Sequence, residues 1–184
     1  DFDKIKKICK DNKLILIEDC AQSFGASYGK HMSGSNGMIS TFSFNPMKTL
    51  HAYGEAGAIV IDNKKIYKIL LEMRHAGTTR KKKNFNINNC NYVSLNHKID
   101  TMQASMLIEN LKRKKEIINK RNKISKLYDK SLKGLAEIQQ LKKNEIHGRY
   151  LYLARFKKRN LLQKFLRSKK IETKVFYSPL ACDA

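Results

Sequence analysis
Apolar residues recur three apart at Phe2, Ile5 and Ile8, with lysines between them, and this spacing predicts an amphipathic helix over residues 2–10. Asp11-Asn12 ends it. Leu14-Ile15-Leu16-Ile17 is a continuous apolar run, the pattern of a short strand buried on both faces of a parallel sheet. Helix followed by buried strand is half of an α/β repeat. Tyr28-Gly29-Lys30 reads as a turn and Gly34 to Gly37 as a loop. Met38 to Phe44 and Ala58 to Ile61 read as strands. Asp62-Asn63 then opens a helix whose apolar face is Ile66, Ile69, Leu70 and Met73, with Gly77 as its C-cap.

Residues 78–91 are polar and aperiodic, and a long loop is expected there. Asp100 caps a long helical pattern that no Pro or Gly interrupts before Gly134. Beyond it the texture changes. Residues 135–141, 149–156 and 171–177 read as strands, and residues 160–168 as a helix. The expected organisation is a large α/β portion over residues 1–98, a connecting helix over 99–133, and a small α+β unit over 134–184. The chain opens at Asp1 within an amphipathic pattern and closes at Cys182-Asp183-Ala184 without a further element, so a fragment is expected.

Composition narrows the function classes. No apolar run approaches the roughly 20 residues that span a bilayer, and no charged-then-apolar leader is present, so no membrane role is expected. Cys9, Cys20, Cys90 and Cys182 are too dispersed for a zinc or redox motif, which suits free thiols in a reducing cytoplasm. The formal charge is +22. Seven Lys/Arg face six Asp/Glu in residues 1–60, and 31 face ten thereafter. Lysine dominates arginine and no aromatic-basic motif accompanies it, so solvated lysines are expected and no nucleic-acid partner.

Two stretches carry candidate chemistry. Glu18-Asp19 closes a strand, and ligands of open α/β sheets bind beyond such carboxyl ends. On position alone, Asp19 is by default an N-cap or a surface salt-bridge partner. The run Ser40-Thr41-Phe42-Ser43-Phe44-Asn45-Pro46 delivers Lys48 to the rim of a sheet. In so lysine-rich a chain, a single lysine is by default a solvated group, and context must decide.

That context is Glu18-Asp19-Cys20-Ala21-Gln22-Ser23-Phe24-Gly25-Ala26, then Thr41 to Leu50, then Gly54-Glu55-Ala56-Gly57-Ala58-Ile59, then Leu95-Asn96-His97-Lys98-Ile99-Asp100. In this order and spacing, the set resembles the DegT/DnrJ/EryC1/StrS family of pyridoxal-phosphate-dependent sugar aminotransferases. The resemblance implies an aspartate-aminotransferase-like α/β architecture (fold type I): the later part of the large domain, a long helix and an incomplete small domain. It implies pyridoxal 5′-phosphate as cofactor. Lys48 would be the Schiff-base amine and proton carrier. Asp19 would pair with the pyridine nitrogen, Gln22 with the ring hydroxyl and Ser43 with the phosphate. Asn96 would reach the cofactor of a neighbouring subunit, so a homodimer with shared active sites is implied.

The implied reaction is transfer of an amino group, from a donor such as glutamate, to a nucleotide-linked keto-sugar. Arg74, Arg80 and the 78–91 loop are candidates for the substrate's diphosphate. The alternative is a non-catalytic or split-gene fragment that needs a missing half to bind the cofactor, because the family's phosphate loop and ring-stacking aromatic precede the matching region. A sugar dehydratase on the same scaffold would have replaced Lys48. One departure stands out: Ala56 occupies a position where the family usually has glycine. If that position requires a positive φ, alanine is strained there.

Overall fold
The computed structural model describes residues 1–80 and 88–183. Helix α1 spans Phe2–Asp11, and the Asp1 carboxylate at its N-cap accepts from the Lys4 N–H. Strand β1 is Ile17–Asp19, and a hairpin follows from β2 (Ser27–Tyr28) and β3 (His31–Met32). Gly29 turns it at φ +57°. Strand β4 is Ile39–Ser43 and β5 is Gly57–Ile61. Helix α2 covers Lys64–Arg74, capped by the Asn63 side chain, which accepts from Lys65 and Ile66 N–H. Strands β6 (Thr78–Arg80) and β7 (Asn88–Cys90) pair antiparallel where a loop was expected; the stretch between them lies outside the described residues. Helix α3 is Thr101–Lys112, with the Asp100 carboxylate on Met102 N–H at 2.7 Å. Helix α4 is Lys114–Ser131. Strands β8 (Glu137–Ile138), β9 (Glu145–Ile146) and β10 (Ala154–Arg155), then helix α5 (Arg159–Ser168), complete the elements.

The chain divides into two compact units. One holds Asp1–Lys126 and Leu141–Tyr152, the other Leu127–Gln140 and Leu153–Ala184. The first is built on the sheet β1-β4-β5, with β1 parallel to β4 and β4 antiparallel to β5. A smaller sheet, β3-β2-β9, brings residues 145–146 onto the hairpin, so a segment expected with the small unit joins the large one. The second unit contains the β8–β10 pair and α5.

Three further expectations change. The single helix expected over 99–133 is α3 and α4, separated at Arg113. The interruption is slight, because Arg113 still donates to Glu109 and Asn110 and accepts from Ile117. The Glu116 carboxylate draws in both Arg113 and Lys120, and these two cations hold its pKa down at about 2. The run 14–17 pairs as a strand only from Ile17, and Leu14, Ile15 and Ile17 stand 59%, 65% and 59% exposed. Among the described residues β1 is an edge strand with β4 on one side only, and these three apolar side chains remain mostly in solvent. Strands expected over 135–141 and 149–156 shrink to two residues each, and among the described residues 171–177 forms none. A β-prone run becomes a strand only where a partner backbone takes its hydrogen bonds.

At the end of α2, Ala76 takes φ +55° and Gly77 φ +73°, and the Gly77 N–H returns to Glu72 O at 2.9 Å. The glycine expected as a cap therefore sits one position further out. It also lies against the Tyr92 carbonyl, where a Cβ would collide. No helix among the described residues is long and apolar enough to cross a membrane. None of the four cysteines is in a disulfide.

Gly77→Ala is expected to cost about 3 kcal/mol or more, since backbone strain and a collision with main chain combine there. Gly29→Ala, with positive φ but open space around it, should cost about 1 kcal/mol. Urea unfolding of the two variants checks the difference.

Candidate active site at the carboxyl edge of the sheet
Parallel pairing sends the carboxyl ends of two strands to the same edge. Asp19 lies opposite Thr41 across β1 and β4, so Ser43, two residues on, emerges beside it. Strand β5 begins at that edge, with Gly57 opposite Ser43. The Cys20 N–H to Thr41 O bond (2.8 Å) and the Phe44 N–H to Ala56 O bond (2.8 Å) extend the ladders past the strand ends. Ala56 is not among the described residues with positive φ, so its side chain costs nothing there.

The loop carrying Lys48 is tied down along its length. The Asn45 Oδ1 accepts from the Met47 N–H at 3.0 Å, and its Nδ2 donates to Glu55 at 2.6 Å. The Lys48 N–H returns to Asn45 O and the Ala52 N–H to Phe44 O. Helix α3 grips the far side: Asn110 Nδ2 donates to His51 O, and Tyr53 N–H donates to Gln103 Oε1, both at 2.8 Å. Gln103 and Asn110 are two turns apart and share a helix face. Thr49, buried, donates its hydroxyl to Gly148 O at 3.2 Å. The Lys48 ammonium lies over the Tyr150 ring, 4.7 Å from its centroid.

Beneath the edge is a group that attention to Asp19 passed over. Glu18 points to the opposite face and is 6% exposed. Its carboxylate accepts from the backbone N–H groups of Gly34 (3.1 Å), Asn36 and Gly37 (2.8 Å), and from the Ser40 hydroxyl (3.3 Å). Burial pushes this carboxyl up, but the N–H donors of Asn36, Gly34 and Gly37 outweigh it and leave the pKa below its usual value. Gly37 lets the loop approach: a Cβ there would lie 2.8 Å from Leu16 O.

Of the residues singled out in the sequence, the edge gathers Asp19, Ser43 and Lys48. Gln22 is exposed on the turn that follows Asp19. Asn96 is exposed, in an isolated bridge with His75. Arg74 and His75 line an open cavity of about 310 Å³ with Thr78, Thr79 and Lys98; the Arg80 side chain lies outside the described residues. Glu18 carried a weak signal, an acid in register within an apolar strand. Thr49, Gly148 and Tyr150 carried none, because their contacts join positions about a hundred residues apart.

The donor set suits a pyridoxal cofactor. Asp19 Oδ1 accepts from the Ala21 N–H at 3.0 Å, and among the described residues no cation pairs with its carboxylate. Ser43 Oγ accepts from the Asn45 N–H at 3.5 Å, which leaves its own proton to donate. Lys112 and Lys120 find glutamates, whereas among the described residues Lys48 pairs with no carboxylate. Asp19 and Ser43 thus emerge at one edge, and the loop that leaves β4 there carries Lys48.

Comparison with known proteins decides the family. The model of the DegT/DnrJ/EryC1/StrS aminotransferase family matches residues 1–183. The chain belongs to this family. It is 27% identical to GDP-perosamine synthase of Escherichia coli O157:H7, over 98% of this chain and 49% of that protein. It is 32% identical to UDP-2-acetamido-2-deoxy-3-oxo-D-glucuronate aminotransferase of Pseudomonas aeruginosa, over 96% and 48%. The crystal structure of a DegT DnrJ EryC1 StrS aminotransferase from Brucella abortus matches with TM-score 0.86 at 25% identity, covering 96% of this chain and 46% of that one. The α/β fold is therefore that of the family, and the chain spans about half the length of the curated relatives it matches.

Glu18→Gln is expected to lose about 2 kcal/mol, because an amide turns donors toward donors and forfeits the charge. The unfolded chain takes up the Glu18 proton at higher pH than the folded one. Its contribution is full above the ordinary carboxyl range and is lost as the pH falls through the lowered value. Urea midpoints of the unaltered protein should therefore drop more steeply below about pH 4 than those of Glu18→Gln.

Proposed function
We propose that this chain is part of a pyridoxal-phosphate-dependent aminotransferase that moves an amino group from an amino acid such as glutamate to a nucleotide-linked keto-sugar. The observation that carries the reading is Lys48, on the loop that leaves β4 at the edge where Asp19 and Ser43 also emerge, in a chain matched by the family model over residues 1–183. When bound, the cofactor supplies an aldehyde that captures amines and a ring that accepts electrons.

The chain's own residues do the rest. Asp19 accepts a hydrogen bond from the ring nitrogen and keeps that nitrogen protonated by its negative charge. Gln22 holds the ring hydroxyl, and Ser43 donates to the phosphate. Lys48 offers the amine that anchors the cofactor. Once a donor amine displaced it, Lys48 Nζ would be free to take a proton from the substrate carbon and deliver it to the cofactor's aldehyde carbon, two atoms along across the nitrogen. Asn96, exposed near the start of α3, reaches the site of a second copy, which makes the working unit a homodimer. The names of the curated relatives support a sugar-nucleotide substrate. Arg74 and Lys98 are the groups of the described cavity fitted to its diphosphate.

The length comparison supports a second reading, in which this stretch binds no cofactor unless the rest of the family's length is supplied. Cofactor uptake by the 184-residue chain alone would count against it.

Purified complete protein given pyridoxal phosphate should develop a visible absorption band that dialysis does not remove, and Lys48→Ala should abolish it. A band that persists in Lys48→Ala would overturn the assignment. Asp19→Asn should retain the band and lower the transamination rate by at least about a hundredfold, since the charge facing the ring nitrogen is gone.

A further inference from the structure
We infer that Tyr150 is a positioning residue for Lys48, its ring face holding the ammonium where the cofactor's aldehyde must arrive. The inference rests on the proposed role of Lys48. A lysine head on a four-carbon stem samples many rotamers unless something fixes it. Here the ring does so, at 4.7 Å from Nζ to centroid.

The backbone that carries the ring is itself tied down by several segments. Thr49, the next residue after Lys48, donates its hydroxyl to Gly148 O, so positions 48 and 49 both bear on the stretch 148–150. Gly148 packs against the Phe24 carbonyl, 2.8 Å from where a Cβ would stand. Arg121 donates from one guanidinium nitrogen to Arg149 O (3.0 Å) and Tyr150 O (3.3 Å). The Arg149 N–H donates to His147 Nδ1 at 2.8 Å, and burial, then the Arg149 charge, pushes the His147 pKa down, which suits a neutral accepting ring. Upstream, β9 is paired to β2. The segment is a strap drawn across the lysine loop.

A ring differs from a carboxylate in this position. It attracts the cation through its quadrupole, yet it neither takes a proton nor forms an ion pair that the reaction must break. Lys48 is thus oriented and still easily released. An aromatic face is what this role requires, and the phenol hydroxyl is dispensable.

Reductive labelling of the complete protein with pyridoxal phosphate and borohydride, followed by peptide mass spectrometry, reads the labelling rate of Lys48 against Lys112 and Lys120 as internal references. Tyr150→Phe should label Lys48 within about twofold of the unaltered protein, and Tyr150→Leu about fivefold more slowly, while the reference lysines do not change. Equal or faster labelling in Tyr150→Leu, or a Phe variant that behaves like the Leu variant, would overturn the inference. If the unaltered protein does not label Lys48 in preference to the references, the proposed function falls and this inference with it. A readout independent of any variant is the NMR shift of ¹³C-methylated Lys48. Its methyls should be displaced upfield by the ring current relative to other lysines, and an ordinary lysine shift would contradict the contact.

Discussion

The Glu18 carboxylate is out of water, and an anion there is stable only if donors replace its hydration. Three backbone N–H groups of the Gly34–Gly37 loop and the Ser40 hydroxyl do this. The consequence reaches beyond stability. The bonds lock the loop onto β1, and the Ser40 bond reaches into β4, so the two parallel strands are held together from beneath as well as by their ladder. On a strand, neighbouring side chains point to opposite faces. Fixing Glu18 on one face therefore fixes the direction in which Asp19 leaves the other. Asp19 is aimed by the buried carboxylate beside it.

From that anchor the edge assembles by short-range rules. The parallel register brings Ser43 beside Asp19. Asn45 closes a tight turn with its own side chain, and Helix α3 holds the return of the loop through Gln103 and Asn110. Lys48 is left as a cation with an aromatic neighbour in place of an acidic one. Most of the +22 charge belongs to lysines that carry no such arrangement, and charge alone would never have singled this one out.

Much of this was legible in the sequence where local chemistry governs it. The α2 cap at Asn63, the turn at Gly29, strands β4 and β5 and the Asp100 cap each depend on a few adjacent residues. The ordered motifs brought out Asp19, Ser43 and Lys48 together. What escaped was non-local. The 171–177 run has strand composition but gains no strand partner among the described residues, and Leu14 and Ile15 have core composition but stay mostly exposed. Residues 149–150 of the strap read as the start of a small-unit strand, because nothing in its own residues announces that Thr49 will take the Gly148 carbonyl. The break at Arg113 is a detail finer than hydrophobic periodicity resolves.

The central claim is that this sheet edge holds a pyridoxal cofactor through Lys48. A crystal structure of the complete protein grown with pyridoxal phosphate tests it most directly. The account requires continuous density from Lys48 Nζ into the cofactor, with Asp19 within hydrogen-bond distance of the ring nitrogen and Ser43 at the phosphate. Density joined to another lysine, or a cofactor ring whose nitrogen faces away from Asp19, would contradict it.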